Sequence, residues 1–272
     1  MRPLILGVGV IAAAWLGAPA LAAGEPVLLE VRVLQVDPDR VPEDEAPEGL
    51  TGLSYTGLPA NYDGELPKGH AALPPTAPRA DLTIRTLHAD GSTTEFASGA
   101  SGLGYVRADG TITYAGKTYS VALGTEQPDA PFRSIAAPKI ATNPGQQGEI
   151  AMGRPVRYLE PVDGGLFRAA EVHDVFEGLT VRSKASRTAD GTITIDELEV
   201  TLSEVESRLR IPELNLEVGK PTIRSSTVSA AMQIPEGMVA MIPFVDGADS
   251  PRLRLVVLVR VKNLPTPTVT PD

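Results

Sequence analysis

Apolar side chains recur at every second position over most of this chain. No stretch repeats them at the spacing of three and four, with caps, that an amphipathic helix needs. The longest alternating run covers residues 192–205, Thr-Ile-Thr-Ile-Asp-Glu-Leu-Glu-Val-Thr-Leu-Ser-Glu-Val. Ile193 and Ile195 share one phase, Leu198, Val200 and Leu202 take the next, and Val205 is displaced again. A long strand with at least one bulge is therefore expected. Residues 222–234 and 253–261 are comparable, and residues 27–36 open with an apolar run that alternates from Leu29 onward. Periods of this kind predict a mainly β, antiparallel fold with long strands.

Between these runs the chain changes character. Residues 37–80 carry eight prolines, from Pro38 to Pro78, with Gly49, Gly52, Gly57, Gly64 and Gly69 among them. Proline donates no ladder hydrogen bond and glycine weakens a strand, so this stretch reads as a long loop or insertion. Its acidic cluster (Asp37, Asp39, Glu43, Asp44, Glu45, Glu48) matches no calcium-loop spacing and reads as a solvated acidic loop. Ala-Asp-Gly recurs at 89–91, 108–110 and 189–191, where Asp-Gly suits a type I′ hairpin turn, and Ala115-Gly116 offers a further hairpin. Residues 81–135 accordingly read as a meander of short strands, residues 136–263 as a β domain, and 264–272, rich in proline and threonine, as a disordered tail.

Residues 1–22 read as a removable leader. Arg2 precedes an uncharged apolar run from Leu4 to Leu16, and Ala20-Leu21-Ala22 supplies the small-x-small pattern of a cleavage site after Ala22 or Ala23. The run is short of the roughly 20 residues that span a bilayer. The protein is thus expected to be exported. It contains no cysteine, which removes disulfides, thiolate metal sites and cysteine nucleophiles together. The net charge of −10, with no cluster of Lys or Arg, argues against nucleic acid as a partner. The single tryptophan, Trp15, lies in the leader.

Catalytic patterns are lacking. Ser101 follows Gly99, but Leu103 stands where a nucleophile elbow needs its second glycine. His70, His88 and His173 are far apart, and His173-Asp174 is a weak acid/base or ligand pair. Asp196 and Glu197 point to opposite faces of a strand and cannot act on one bond. The sequence therefore implies no enzyme, no cofactor and no metal. A secreted hydrolase using His173 or the acidic loop ranks last among the readings.

Residues 136–153, Ala-Ala-Pro-Lys-Ile-Ala-Thr-Asn-Pro-Gly-Gln-Gln-Gly-Glu-Ile-Ala-Met-Gly, bring in a resemblance. They are similar to the segment of the secretin domain of bacterial type II and type III secretion channels in which Ser-Pro-Lys/Arg-Ile/Val precedes a turn and then Gln-x-Ala-Glu-Ile-x-Val-Gly. Pro138, Ile140, Gln146, Glu149, Ile150 and Gly153 fall in register. Further on, residues 175–181 with Gly178 resemble the family's Val-x-x-Gly-x-x-Leu-x-Val strand. Pro221 and Ile223 resemble its Pro-x-Ile-x-x-Arg strand, and Gly237 lies where secretins have Asp-Gly-Gln-Thr-Val. Residues 255–261 match the closing strand, and residues 27–36 the opening one. The Pro-Leu-Leu-Gly-Asp-Ile-Pro-like segment that secretins carry before their last strand is absent. The resemblance implies a secretin-like β domain in a cell-envelope protein of the periplasm or outer membrane. Its role would be in protein secretion, as a channel component or a reduced relative. Its partners would be copies of itself or envelope secretion proteins, with membrane association. The alternative is a soluble periplasmic or surface β module without a pore.

Overall fold

The computed structural model describes residues 26–59, 79–99, 103–122, 127–162, 169–187, 193–206, 210–211, 216–218, 221–235, 237–246 and 252–264. The leader, His70, the third Ala-Asp-Gly turn and the tail beyond Leu264 lie outside them. The strands are β1 (Val27–Val36), β2 (Leu53–Tyr55), β3 (Gly57–Pro59), β4 (Arg79–Leu87), β5 (Thr93–Gly99), β6 (Gly104–Arg107), β7 (Thr111–Tyr114), β8 (Lys117–Ser120) and β9 (Phe132–Ala136). They continue as β10 (Lys139–Thr142), β11 (Gln147–Val162), β12 (Ala169–Arg187), β13 (Ile193–Glu206), β14 (Arg210–Ile211), β15 (Leu216–Val218), β16 (Thr222–Gln233), β17 (Met238–Asp246) and β18 (Arg252–Asn263). No helix occurs among the described residues, and the fold is mainly β and antiparallel.

The strands form three sheets in three layers. The first, seven-stranded, runs β10-β1-β18-β17-β6-β3, with β9 also on β1. The second, eight-stranded, runs β14-β15-β11-β12-β13-β16-β4-β5, and the third is β2-β7-β8. The first sheet lies in the middle. Leu29, Val31, Val33, Ile242, Leu255, Val257 and Val259 on one of its faces form a single core with Leu179, Val181, Ile195, Leu198, Val200 and Val228 of the second sheet. From its other face Leu34, Val239, Met241, Val256 and Leu258 pack with Ile112, Tyr114 and Tyr119 of the third. Burial on both faces explains why Leu255 to Val259 is an unbroken apolar run instead of an alternating one. Each such side chain contributes about 1.5–3 kcal/mol by leaving water.

Polar contacts also bridge the first and second sheets. The Tyr105 hydroxyl of β6 donates to the Gln233 carbonyl of β16 at 2.8 Å. Burial pushes its pKa up to about 12, so it remains a neutral donor. Arg254 of β18 meets Glu204 of β13 at 2.6 Å.

The first and last strands are neighbours. β1 pairs β18 from Val27↔Asn263 to Gln35↔Leu255, and the Leu264 amide donates to the Pro26 carbonyl at 3.1 Å. The phase slip in 192–205 is a bulge between Ile195 and Leu198 in the β13–β16 ladder, where Asp196 and Glu197 are both exposed. Val205 needs no second slip. It sits on the outward row of the second sheet, level with Ile223 and Leu87.

The turns depart from expectation. At Ala89-Asp90-Gly91 only Gly91 has positive φ, at 85°. The His88 amide donates to Ser92 and the Gly91 amide to His88, which makes a longer loop with glycine at its left-handed position instead of type I′. At 108–110 the chain passes from the first sheet to the third without a hairpin. The two-residue turn with both φ values positive is Ala115-Gly116, at 50° and 74°, between β7 and β8. The strands of 81–135 fall in all three sheets. The described part of 37–80 is packed: Val41 and Leu58 are buried, Tyr114 donates to the Pro47 carbonyl, and Arg252 donates to the Ala46 carbonyl. Asp37 caps that segment's first turn through the Asp39 amide and an ion pair with Arg40 at 3.2 Å.

Candidate functional site

The second sheet is built around one long hairpin. β11 and β12 pair without a slip from Gln147↔Lys184 to Val162↔Ala169. β13 accompanies β12 only from Arg187 back to Gly178, where the last pair is Gly178↔Ser203. Beyond that point the hairpin runs on without β13 as an arm, and β15 lies parallel to β11 at Arg157–Leu159. Among the described residues, no strand pairs the outer edge of β12 from Ala169 to Glu177.

The departure point is a pair of glycines, Gly153 and Gly178, directly opposite each other. A Cβ on Gly153 would lie 2.2 Å from the Glu177 carbonyl oxygen and 2.7 Å from the Phe176 ring. A Cβ on Gly178, whose φ is +149°, would lie 2.3 Å from the Met152 carbonyl oxygen. Only glycine fits at either position, because a Cβ at each would run into the backbone of the opposite strand. The Phe176 ring occupies the space left by the missing side chain of Gly153, an aromatic cover over a glycine in the neighbouring strand.

Cross-strand pairs stiffen the arm. Arg154 meets Glu177 at 2.7 Å, Arg157 meets Asp174 at 3.3 Å, and the Tyr158 and His173 rings stack with centroids 5.4 Å apart. His173 is thus a stacking residue in a strand pair. Met152, Phe176 and Val172 are exposed large apolar residues at and beyond the kink, Val172 at 60%. Below the kink the outward face is polar. Arg182 bridges Glu149 at 3.0 Å and Glu199 at 3.2 Å, and Glu149 first, then Glu199, hold its guanidinium in the charged form. Next to that row, Thr201 bonds Thr227 and Ser203 bonds Ser225.

The residues singled out in the sequence follow one path. The Pro138 carbonyl accepts from the Val31 amide, and Ile140 is buried opposite Leu29 at the edge of the first sheet. The Gln146 amide donates to the Asn143 carbonyl in the turn that carries the chain into β11. Glu149 binds Arg182, Ile150 packs against the core, and Gly153 and Gly178 form the kink. Pro221 and Ile223 lie at the start of β16, two strands away. Gly237, with φ of 75°, stands in the turn from β16 to β17, where the chain crosses between sheets. These residues therefore shape connections and a kink, and they do not surround a common cavity. Among the described residues, no group of three or more His, Asp or Glu is placed to hold a metal ion. Sequence reasoning missed the fork in the sheet and the role of Phe176. The sole trace of either is that 176 and 178 face 155 and 153 once the hairpin register is known.

No protein-family model and no curated protein sequence matches the chain. Among solved structures, the fold is similar to the Salmonella SPI-1 type III secretion injectisome secretin InvG. That match has 11% identity, covers 91% of this chain and 67% of that one, and has a TM-score of 0.39. It is also similar to a chain of the Klebsiella pneumoniae type II secretion system outer membrane complex of PulD, PulS and the PulC HR domain. There the identity is 13%, the coverage 87% and 40%, and the TM-score 0.35. A third is Aeromonas hydrophila ExeD, at 11% identity, 88% and 49% coverage, and a TM-score of 0.35. The chain spans less than half of the last two.

Proposed function

We propose that this is an exported cell-envelope protein that contributes to protein secretion as a subunit of a homo-oligomer. In such an assembly the sandwich forms the wall and the β11–β12 arm projects from it. The observation that carries this reading is the arm itself. It is a long hairpin that leaves its sheet at two facing glycines, Gly153 and Gly178. The ordered series of secretin-like motifs over residues 136–261 runs through those same glycines. Paired glycines allow the strand direction to change abruptly, while the ion pairs beyond them keep the arm a ribbon. Copies arranged around an axis would set their arms at a common height, where they narrow or close the space between them. The test is the size of the mature protein in mild detergent. A high-mass, ring-shaped particle is expected, and images of monomers both with and without detergent would defeat the reading.

A second reading, a soluble periplasmic or surface β module without a pore, is favoured by one feature. The free face of the second sheet carries Glu149, Arg182, Glu199, Thr201, Ser203, Ser225 and Thr227, whereas a bilayer-facing barrel wall needs an apolar band. Release by osmotic shock without detergent would favour it. Retention in the membrane fraction until detergent is added would favour the first.

A further inference from the structure

The sequence holds no run of Lys or Arg, but the fold assembles a basic cluster from three separated strands. β10, β1 and β18 are neighbours in the first sheet. Their register sets Lys139, Glu30 and Arg260 in one row, and Leu28 in the next row faces Ala141 and Lys262. Arg32 lies two residues along β1 from Glu30, opposite Leu258. Leu29, Val31, Ile140, Val259 and Val261 point toward the second sheet. By alternation, Glu30, Arg32, Lys139, Arg260 and Lys262 all point to the other side.

On that side the third sheet covers only the Val36 end of β1. Leu34, Val256 and Leu258 are buried beneath it. The covering ends at Arg32, whose guanidinium donates to the Val121 carbonyl at 3.3 Å. What stays open is a ledge three strands wide, floored by Leu28, Glu30 and Ala141. The third layer stands beside it as a step about 10 Å high.

The ledge carries four positive charges, Arg32, Lys139, Arg260 and Lys262, against the one carboxylate of Glu30. Its local balance is therefore +3 (four minus one), in a chain whose total is −10. The two oxygens of Glu30 hold Lys139 at 3.2 Å and Lys262 at 2.9 Å, which fixes both ammonium groups over the floor. Among the described residues, no hydrogen bond or ion pair engages the Arg260 guanidinium. The excess charge is thus held in place and left unspent.

Shape selects among anionic occupants. Arg260 and Lys262 are alternate residues of one strand, about 6.8 Å apart, and Lys139 lies two strands from Arg260, about 9.6 Å away. One small anion cannot span those distances. An extended polypeptide repeats its side chains at the same interval of about 6.8 Å, so carboxylates on alternate residues meet Arg260 and Lys262 in step. A flat anionic surface fits less well. The segment packed on this same side through Val41, Ala46 and Leu50 carries Glu43, Asp44, Glu45 and Glu48, all exposed. A bilayer laid against this side would meet those carboxylates, whereas a single chain can follow the ledge without touching them.

We infer that the ledge of β10, β1 and β18 binds an extended acidic segment of a partner polypeptide. This site lies apart from the β11–β12 arm, and it goes beyond the homo-oligomeric reading without requiring it.

The probe is a fluorescein-labelled synthetic peptide of alternating Glu and Thr, titrated with the full exported chain and followed by anisotropy. Saturable binding is expected at low salt. It should weaken about tenfold as added salt shortens the reach of the charges from roughly 30 Å to roughly 8 Å. Arg260→Glu should also weaken it about tenfold, because attraction becomes repulsion at the centre of the ledge. Arg260→Gln sets no second carboxylate beside Glu30. It should lose less in the same direction, and it carries the test if Arg260→Glu fails to fold. Lys184→Glu makes the same change in net charge at an exposed position of the second sheet and should leave binding unchanged. No saturation, equal binding of a Gln-Thr peptide, or equal losses in Lys184→Glu and Arg260→Glu would overturn the assignment. So would inorganic phosphate competing as well as unlabelled peptide at matched ionic strength, which marks a simple anion site. Co-sedimentation with phosphatidylglycerol vesicles, or salt-sensitive self-association, that is lost in Arg260→Glu while the peptide does not bind would also overturn it. The ledge would then belong to a membrane or to a second copy.

Discussion

Gly153 and Gly178 face each other across the β11–β12 ladder, and a Cβ added to either would lie no more than 2.3 Å from a carbonyl oxygen of the opposite strand. No rotamer change relieves such a clash, because the obstacle is backbone. Gly153→Ala and Gly178→Ala are each expected to destabilise the fold by about 2 kcal/mol or more. Gly153→Ala should also displace Phe176. Urea unfolding checks the loss, and a cost below about 0.5 kcal/mol at both positions would show that the strands do not cross this closely.

Direction along a strand decides the next expectation. Ile195 points into the core shared by the first two sheets, whereas Val205 lies on the outward row. Ile195→Ala should cost about 2–5 kcal/mol and Val205→Ala well under 1 kcal/mol. Equal costs in thermal or urea unfolding would mean that the bulge between Ile195 and Leu198 is misplaced and the faces beyond it are exchanged.

Ala115 holds φ at 50° in the type I′ turn between β7 and β8. A non-glycine residue there costs about 1 kcal/mol. Ala115→Gly should therefore stabilise the protein by up to about 1 kcal/mol, and Ala115→Val should destabilise it. The order of the two variants in a melting series is the readout.

Glu30 is mostly buried between Lys139 at 3.2 Å and Lys262 at 2.9 Å. Burial alone would raise its pKa, but hydrogen bonds from Lys262 and then Lys139, and their charges, outweigh it and leave the carboxyl below its ordinary value. A folded-state pKa below the unfolded one contributes stability above the unfolded value. That contribution is lost as pH falls through the folded one, from about pH 4.5 downward. Glu30→Gln should lower the melting temperature at neutral pH and flatten its decline in acid. A variant with the same acid slope as the parent would remove Glu30 from the account.

Strands with one buried face were legible in the sequence. The alternation of residues 27–36, the phase slip in 192–205 and the apolar run before Asn263 each carry a local signal. What stayed hidden is set by distant partners. Nothing near β18 says that β1 lies beside it, and β4 finds β16 across more than a hundred residues, carrying its local hairpin partner β5 with it. The Asp-Gly turns misled because Asp90 keeps negative φ and lends its carboxylate to Ser92 instead. Gly153 and Gly178 were each visible as motif letters. That they touch is a property of hairpin register, which no single position carries.

The meeting of Pro26 and Leu264 has a consequence for how the chain can be handled. Whatever precedes the sandwich and whatever follows it issue from the same corner of the molecule. A short linker could stitch those two points into a loop, and the polypeptide could then be opened afresh at the exposed Ser92 turn without parting β1 from β18.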